Sequence, residues 1–258
     1  MKAGEIAAII EELAPGHLQE SWDNSGFTVG GAGREVNSAL LALDCTPEVL
    51  QEAVERGTGM IITHHPLIFS PLKRIAGSNV VERMVETAIK NDIVIYSAHT
   101  NADKVLPGVS GLMAARLGLV NVEILDKEEG GDTGLGVVGD FVKPVSFSEV
   151  SDLVKSRFSL KSLRCSKPVE GQISRVALCG GSGSSLISAA MKSGAQLLVT
   201  GDISYHRFLC EEGFMVMDIG HFESEREVLD LLKDVLLKKL VNFEVRISDN
   251  NNNLIYYY

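Results

Sequence analysis

Two spacings of apolar residues alternate along the chain. Ile6, Ile9, Ile10 and Leu13 repeat at helical intervals, and Pro15 with Gly16 closes that run. A polar loop, ESWDNSGFTVGG, follows and carries the single tryptophan. The apolar run SALLALDCT then reads as a strand. The segment 47–56 reads as a helix with Thr46 as N-cap, Pro47 at its first position and Gly57 as its stop. GMIITHH predicts the next strand, 79–90 a helix, DIVIYSAHT a further strand and 107–119 a short helix after a turn. From about Val120 the pattern changes: LDKEEGGDTGLGVVGDFVKPVSF is glycine-rich and reads as hairpin or loop.

The strand–helix rhythm returns downstream. A helix over 146–157 precedes the strand SRVALCGG, a helix over 184–192, the strand AQLLVTGD, a helix around 204–212 and the strand GFMVMDIGH. A helix over 223–240 and the strand NFEVRIS follow, with NNNNLIYYY as a candidate last strand. Such alternation predicts α/β layers with largely parallel pairing. A faint repeat runs through it. Placing Leu41 on Leu178 also places Ala53 on Ala190, Gly57 on Gly194 and Thr63 on Thr200. Past a shorter second segment, His99 after IVIYSA matches His221 after MVMDIG. Recurring βαβ units explain part of this match. Polar residues at corresponding strand ends favour duplication.

That placement matters because open α/β sheets bind ligands beyond the carboxyl ends of their strands. His64 and His65 end one strand, His99 ends another with Asp103 four residues on, and His221 ends a third with Glu225 four residues on. A lone histidine is more often structural than ligating. Four of the six at three such ends, with two carboxylates, make a donor set for first-row divalent ions. The set exceeds the needs of one tetrahedral ion and suits a pair about 3.5–4 Å apart. His206 in TGDISYH is a candidate for orienting a ligand, and His17 carries no signal. CGGSGSS precedes a helix, but it lacks the P-loop lysine and reads as a tight turn.

Composition narrows the options. The chain has 258 residues, 45% of them hydrophobic and 22% charged, with a formal net charge of −10. An acidic surface disfavours direct nucleic-acid binding, though not a nucleotide held beside metal ions. Four cysteines without CxxC spacing suggest neither a disulfide framework nor a zinc ribbon and agree with a reducing cytoplasm. The start reads as an amphipathic helix rather than a signal peptide, and no apolar run approaches a membrane span.

ESWDNSGFTVG, IITHHPLIF, SAHTNAD and TGDISYH with DIGHFESE, in this order, resemble the NIF-three-like family, also called GTP cyclohydrolase I type 2 homologs. The resemblance spans most of the chain. It implies two similar α/β domains with mixed, mainly parallel sheets in three layers and a metal site in the interdomain cleft. The domains are expected at 1–125 plus 227–258 and at 126–226, without the extra domain some members insert. It further implies a dinuclear centre held by His64, His65, Asp103, His221 and Glu225, with Asp103 and Glu225 bridging. The residues alone leave His99 an equal candidate, whereas the resemblance puts it behind the ligands. Ser21, Ser25 and Asp202 depart from commoner forms of the motifs. The expected cofactors are two zinc, iron, manganese or cobalt ions. The expected partners are a small-molecule substrate, nucleotides included, and further copies of the chain in a hexamer. The expected activity is metal-dependent hydrolysis, GTP cyclohydrolase-like or phosphoesterase, with Asp44, Glu48 or His99 as acid–base groups. The rival reading is a non-catalytic metal-binding protein, a metallochaperone or regulator acting through partners.

Overall fold

The computed structural model describes residues 1–256. The chain forms two compact units. One comprises Met1–Ala102 and the segment from Val228 onward, and the other is Asp103–Glu227.

The first unit begins with α1 (Ala3–Leu13), which buries Ile6 and Ile10. Strand β1 (Gly26–Val29) follows inside the segment expected to be a polar loop. Its residues are mostly half-buried, so the two-residue period of an edge strand is faint in the sequence. Strand β2 (Ser38–Ala42) leads to α2 (Pro47–Arg56), whose ends match the expected signals. The Thr46 side chain accepts the Val49 N–H, and Gly57 stops the helix at φ 66°. Strand β3 (Met60–Thr63), α3 (Val80–Lys90) capped by Asn79, β4 (Val94–Ser97) and the single turn α4 (Thr100–Asp103) complete the N-terminal part.

In the second unit α5 (Val109–Leu117) is followed by a long hairpin of β5 (Val120–Lys127) and β6 (Gly134–Val145). Helix α6 (Phe147–Phe158) starts at a capping box of Ser146 and Glu149. Then come β7 (Arg164–Cys165), β8 (Ile173–Leu178), α7 (Ile187–Lys192) after a short 3₁₀ turn, β9 (Leu197–Thr200) and β10 (Met215–Asp218). The helix expected around 204–212 is only a 3₁₀ turn, Tyr205–Phe208. Tyr205 and Leu209 are exposed there, so no apolar face is covered to sustain a longer helix. The helix expected over 223–240 is broken into α8 (His221–Glu225) and α9 (Val228–Lys239), and α9 returns the chain to the first unit. Strand β11 (Glu244–Ile247) forms as expected. Residues 250–256 form no strand, and the last two positions of that expected strand, Tyr257 and Tyr258, lie outside the described residues.

The first sheet has the order β1-β4-β3-β2-β11, with β1 antiparallel to β4 and the other pairings parallel. The second has the order β5-β6-β8-β9-β10-β7. Its centre β8-β9-β10 is parallel, and β7 lies antiparallel to β10. The repeat is visible in this pairing. In both units three successive parallel strands take an antiparallel strand, the one preceding them in sequence, on the far side of the third. Gly194 after α7, like Gly57 after α2, is left-handed, with φ 79°.

Each sheet is covered on both faces. In the first, Leu40, Ile61 and Ile95 pack against Val49, Leu50, Ala53, Met84 and Val85 of α2 and α3. Alternate strand residues point the other way. On that side Tyr96 Oη donates to Glu11 of α1 at 3.2 Å, and α9 touches α1, β2 and β11. In the second, Val176, Leu178, Val199 and Met217 pack with α5 and α6, and Ala177, Leu198 and Val216 pack with α7. Because Met113, Ala114 and Leu117 of α5 belong to that core, the second unit begins at Asp103 rather than near 126. Each unit therefore has its own clusters of buried apolar side chains. Among the described residues no helix is long and apolar enough to cross a membrane.

Candidate metal centre

In the first unit the donors sit where β3 and β4 end. Neighbouring side chains of a regular strand point to opposite faces. Strand β3 stops at Thr63, and the chain bends at His64 and His65, bringing both rings to one side with centroids 5.0 Å apart. The main chain there still pairs with β2: the His64 N–H donates to Ala42 O at 3.3 Å and that of His65 to Leu43 O at 2.9 Å. The Thr63 hydroxyl donates to His65 O at 2.7 Å and lies 2.8 Å from the Ser97 hydroxyl. His99, two residues beyond β4, joins them, its ring centroid 5.2 Å from that of His64 and 5.4 Å from that of His65. One ligating atom from each of these three histidines lies within 4.8 Å of the others. The structure therefore places His99 beside His64 and His65.

What orients these rings is a set of oxygen acceptors. His64 Nδ1 lies 2.8 Å from Ala98 O, and His65 Nδ1 lies 2.8 Å from Asp44 Oδ1. His99 Nδ1 lies 2.7 Å from Asp23 Oδ1. Asp23 also accepts from Ser25 Oγ at 2.7 Å, from the Thr100 N–H at 3.2 Å and from the Thr100 hydroxyl. Burial alone would raise the Asp23 pKa, but the hydrogen bonds from His99 and Thr100 outweigh it and hold the carboxyl far below the usual range. Asp44, a candidate acid–base group, is thereby engaged in holding His65. Glu48, the other carboxylate candidate, is exposed in the first turn of α2.

The second unit presents a matching arrangement. Gly220, at φ 89°, opens the short helix α8, which puts His221 and Glu225 one turn apart. His221 Nε2 lies 3.0 Å from Glu225 Oε2, and its Nδ1 lies 2.8 Å from Asp202 Oδ2. Asp202, rather than the exposed His206, is thus the residue that holds this imidazole. His206 packs its ring edge-on against Tyr205 at 5.3 Å. Gly181 lies under the carboxylate: a Cβ there would come 2.3 Å from Glu225 Oε1 and 3.2 Å from His221 Cε1. Its N–H donates to Ser224 Oγ at 3.0 Å, and its carbonyl accepts from Thr200 Oγ1 at 2.9 Å. CGGSGSS, read as a tight turn, is thus also the floor beneath Glu225. Burial, then the negative charges of Asp103 and Glu225, pushes the neighbouring Cys179 thiol well above its usual range. It stays an S–H and donates to Gly180 O at 3.3 Å.

The donor chemistry fits divalent ions. In all four histidines an oxygen acceptor fixes Nδ1 as the N–H, leaving the Nε2 lone pair as the ligating atom. This is the outer arrangement that metal-binding imidazoles adopt. Carboxylates complete a mixed nitrogen and oxygen set suited to zinc, iron, manganese or cobalt. Sequence reasoning did not single out Asp23, because its partner His99 is 76 residues away. The one available signal was its place in the polar stretch beside the single tryptophan.

Comparison with known proteins gives the family and supports the fold. The sequence model of the Duf34/NIF3 (NGG1p interacting factor 3) family matches residues 1–253. A Clostridium perfringens protein named GTP cyclohydrolase 1 type 2 homolog is 39% identical over 244 residues, 93% of each chain. Among solved structures, a Staphylococcus aureus hypothetical protein superposes with a TM-score of 0.91 at 28% identity, covering 100% of this chain and 99% of its own. A Bacillus cereus protein described as related to NIF3 gives 0.90 at 25% identity, with the same coverage.

Proposed function

The chain belongs to the Duf34/NIF3 family, and from that premise we propose that it is a metal-dependent hydrolase holding two divalent ions through His64, His65, Asp103, His221 and Glu225. The carrying observation is that each histidine has its Nδ1 held by an oxygen acceptor, so that Nε2 is presented as a donor. When bound, a pair of divalent cations supplies Lewis acidity, acidifying water and polarising a carbonyl or phosphoryl group. The remaining work belongs to the chain. Asp44 and Asp202 fix the tautomers of His65 and His221 and make them better donors. Asp23 does the same for His99. In this proposal His99 is not a ligand but the acid–base group: its Nε2 takes up or returns a proton, and the Asp23 carboxylate stabilises the imidazolium that forms. The name carried by the curated relatives points to nucleotides as the first substrates to try.

Two measurements test this. Each unit has its own core, so the double variant His64→Ala/Glu225→Ala is expected to stay folded and to lose both ions by elemental analysis. Two ions retained per chain would refute the ligand set. Metal-loaded protein is then screened against nucleotides and phosphoesters, with Glu225→Gln as control. Turnover lost in that variant supports hydrolysis. No turnover across the panel, with both ions bound, refutes it in favour of a protein that stores or delivers metal.

A further inference from the structure

The first unit carries an exposed pair of aromatic side chains that the metal chemistry does not use. Trp22 is 58% exposed and Phe69 54% exposed, and their ring centroids lie 5.9 Å apart. Both rings stand nearly perpendicular to the His99 ring, at 6.2 and 6.4 Å. Large aromatic rings are ordinarily among the most buried side chains, and exposed ones in a fixed place are a common mark of recognition.

The fixing here is unusually complete. On one side of Trp22 the Glu20 N–H donates to Thr100 Oγ1 at 2.9 Å. On the other, the fully buried Asp23 side chain is tied to His99, Thr100 and Ser25. Asn24 Nδ2 donates to Ile68 O at 2.6 Å, joining the loop that carries Trp22 to the loop that carries Phe69. These bonds tie the loop that carries Trp22 to residues 99–100 and to the loop that carries Phe69, while both side chains remain more than half exposed.

We propose that Trp22, with Phe69 inclined at 50° beside it, forms a stacking platform for a planar heteroaromatic ring of nucleobase type, which stacks on one of the two rings, meets the other edge-on and lies beside His99. This names the substrate class of the reading above and rests on it. The geometry favours a flat ring over other occupants. A flat aromatic ring gains from stacking on the indole or the phenyl face at centroid separations of about 4.5–7 Å. Every nucleobase offers a π-face, so the platform selects aromatic rings over sugars and phosphates, while polar groups at the ring edge choose among bases.

Trp22 is the single tryptophan, so its fluorescence reports the platform directly. Guanosine, adenosine and cytidine are titrated into wild-type protein excited at the red edge of the indole band, with ribose and ribose 5-phosphate as non-aromatic controls. Free N-acetyltryptophanamide measures collisional quenching. The expected result is saturable quenching by at least one nucleoside and none by the two sugars. Phe69→Ala should weaken that binding about tenfold, and Trp22→Ala, followed by equilibrium dialysis, by at least as much. Circular dichroism checks that both variants are folded. The titration is repeated on chelator-stripped protein. Saturable quenching there supports the platform even if metal analysis refutes the ligand set. Quenching that is only linear in concentration, or equal quenching by ribose 5-phosphate, overturns the platform even if two ions are bound.

Discussion

The sharpest test of the unit-2 geometry is Gly181→Ala, read against Gly194→Ala. Both glycines are left-handed, at φ 59° and 79°, so an alanine at either costs roughly 1–2 kcal/mol of backbone strain. They differ in what the new methyl meets. At Gly194 nothing lies within 4 Å. At Gly181 the methyl would sit 2.3 Å from Glu225 Oε1, whereas ordinary contact begins near 3.4 Å. The carboxylate must therefore retreat by about 1 Å. Glu225 is buried and has little room to do so without breaking its 3.0 Å contact to His221. Misplacing a ligand on this scale lowers metal affinity about 10–100-fold, or roughly 1.4–2.7 kcal/mol. Urea denaturation should show both variants weakened, Gly194→Ala by a midpoint shift of roughly 0.5 M and Gly181→Ala by at least as much. Calorimetric titration with Mn²⁺ or Zn²⁺ should show the affinity loss for Gly181→Ala alone. Wild-type affinity in Gly181→Ala, or an equal loss in Gly194→Ala, would refute the claim that this backbone positions Glu225.

Other outcomes follow from particular contacts. Asp44→Ala and Asp202→Ala each remove the acceptor that fixes an imidazole. Each should lower divalent-ion affinity about 10–100-fold while leaving the denaturation midpoint near wild type, and an unchanged titration would show that the acceptor does not matter. Glu52, in α2, accepts from Ser248, from Asn250 at 3.0 Å and from Arg56 at 2.9 Å, tying the helix to the chain beyond β11. Burial opposes ionisation there, but these hydrogen bonds prevail and lower its pKa from the ordinary 4.5. A depressed carboxylate stabilises the fold above its unfolded value and loses that contribution as pH falls through the folded one. Wild type should therefore lose stability to acid below about pH 4.5, and Glu52→Gln should be weaker by about 1–3 kcal/mol at pH 7 with a flatter acid limb. Parallel limbs for the two proteins would remove Glu52 from the account.

Much of the architecture was legible because local signals agreed with the packing. Thr46, Pro47 and Gly57 mark both ends of α2, and the strand read from GMIITHH forms as β3, which stops at Thr63 just before the two histidines. The faint identities at Leu178, Ala190, Gly194 and Thr200 fall on elements with the same pairing as their counterparts. What escaped has two physical sources. Strand β1 and the 3₁₀ turn at Tyr205 lie at edges, where half-buried or exposed positions blur any period. The break between α8 and α9 interrupts a helical pattern for two residues, Arg226 and Glu227, too few to disturb it. Glu227 is held there by an ion pair with Arg116. Of the site, the histidines and carboxylates could be read from strand ends. The acceptors behind them could not: Asp23 and Asp44 reach their partners across the fold, and the role of Gly181 depends on a contact distance.

The first unit is discontinuous: its helix α9 and strand β11 are encoded after the whole of the second. As the polypeptide leaves the ribosome, β2 is exposed with its outer edge open until residues 244–247 arrive to pair with it. The second unit, whose strands lie together in sequence, can close in the meantime. Truncated translation products therefore carry a finished downstream fold attached to an upstream one that still presents a bare template for strand addition. For such fragments the hazard is aggregation rather than loss of structure everywhere.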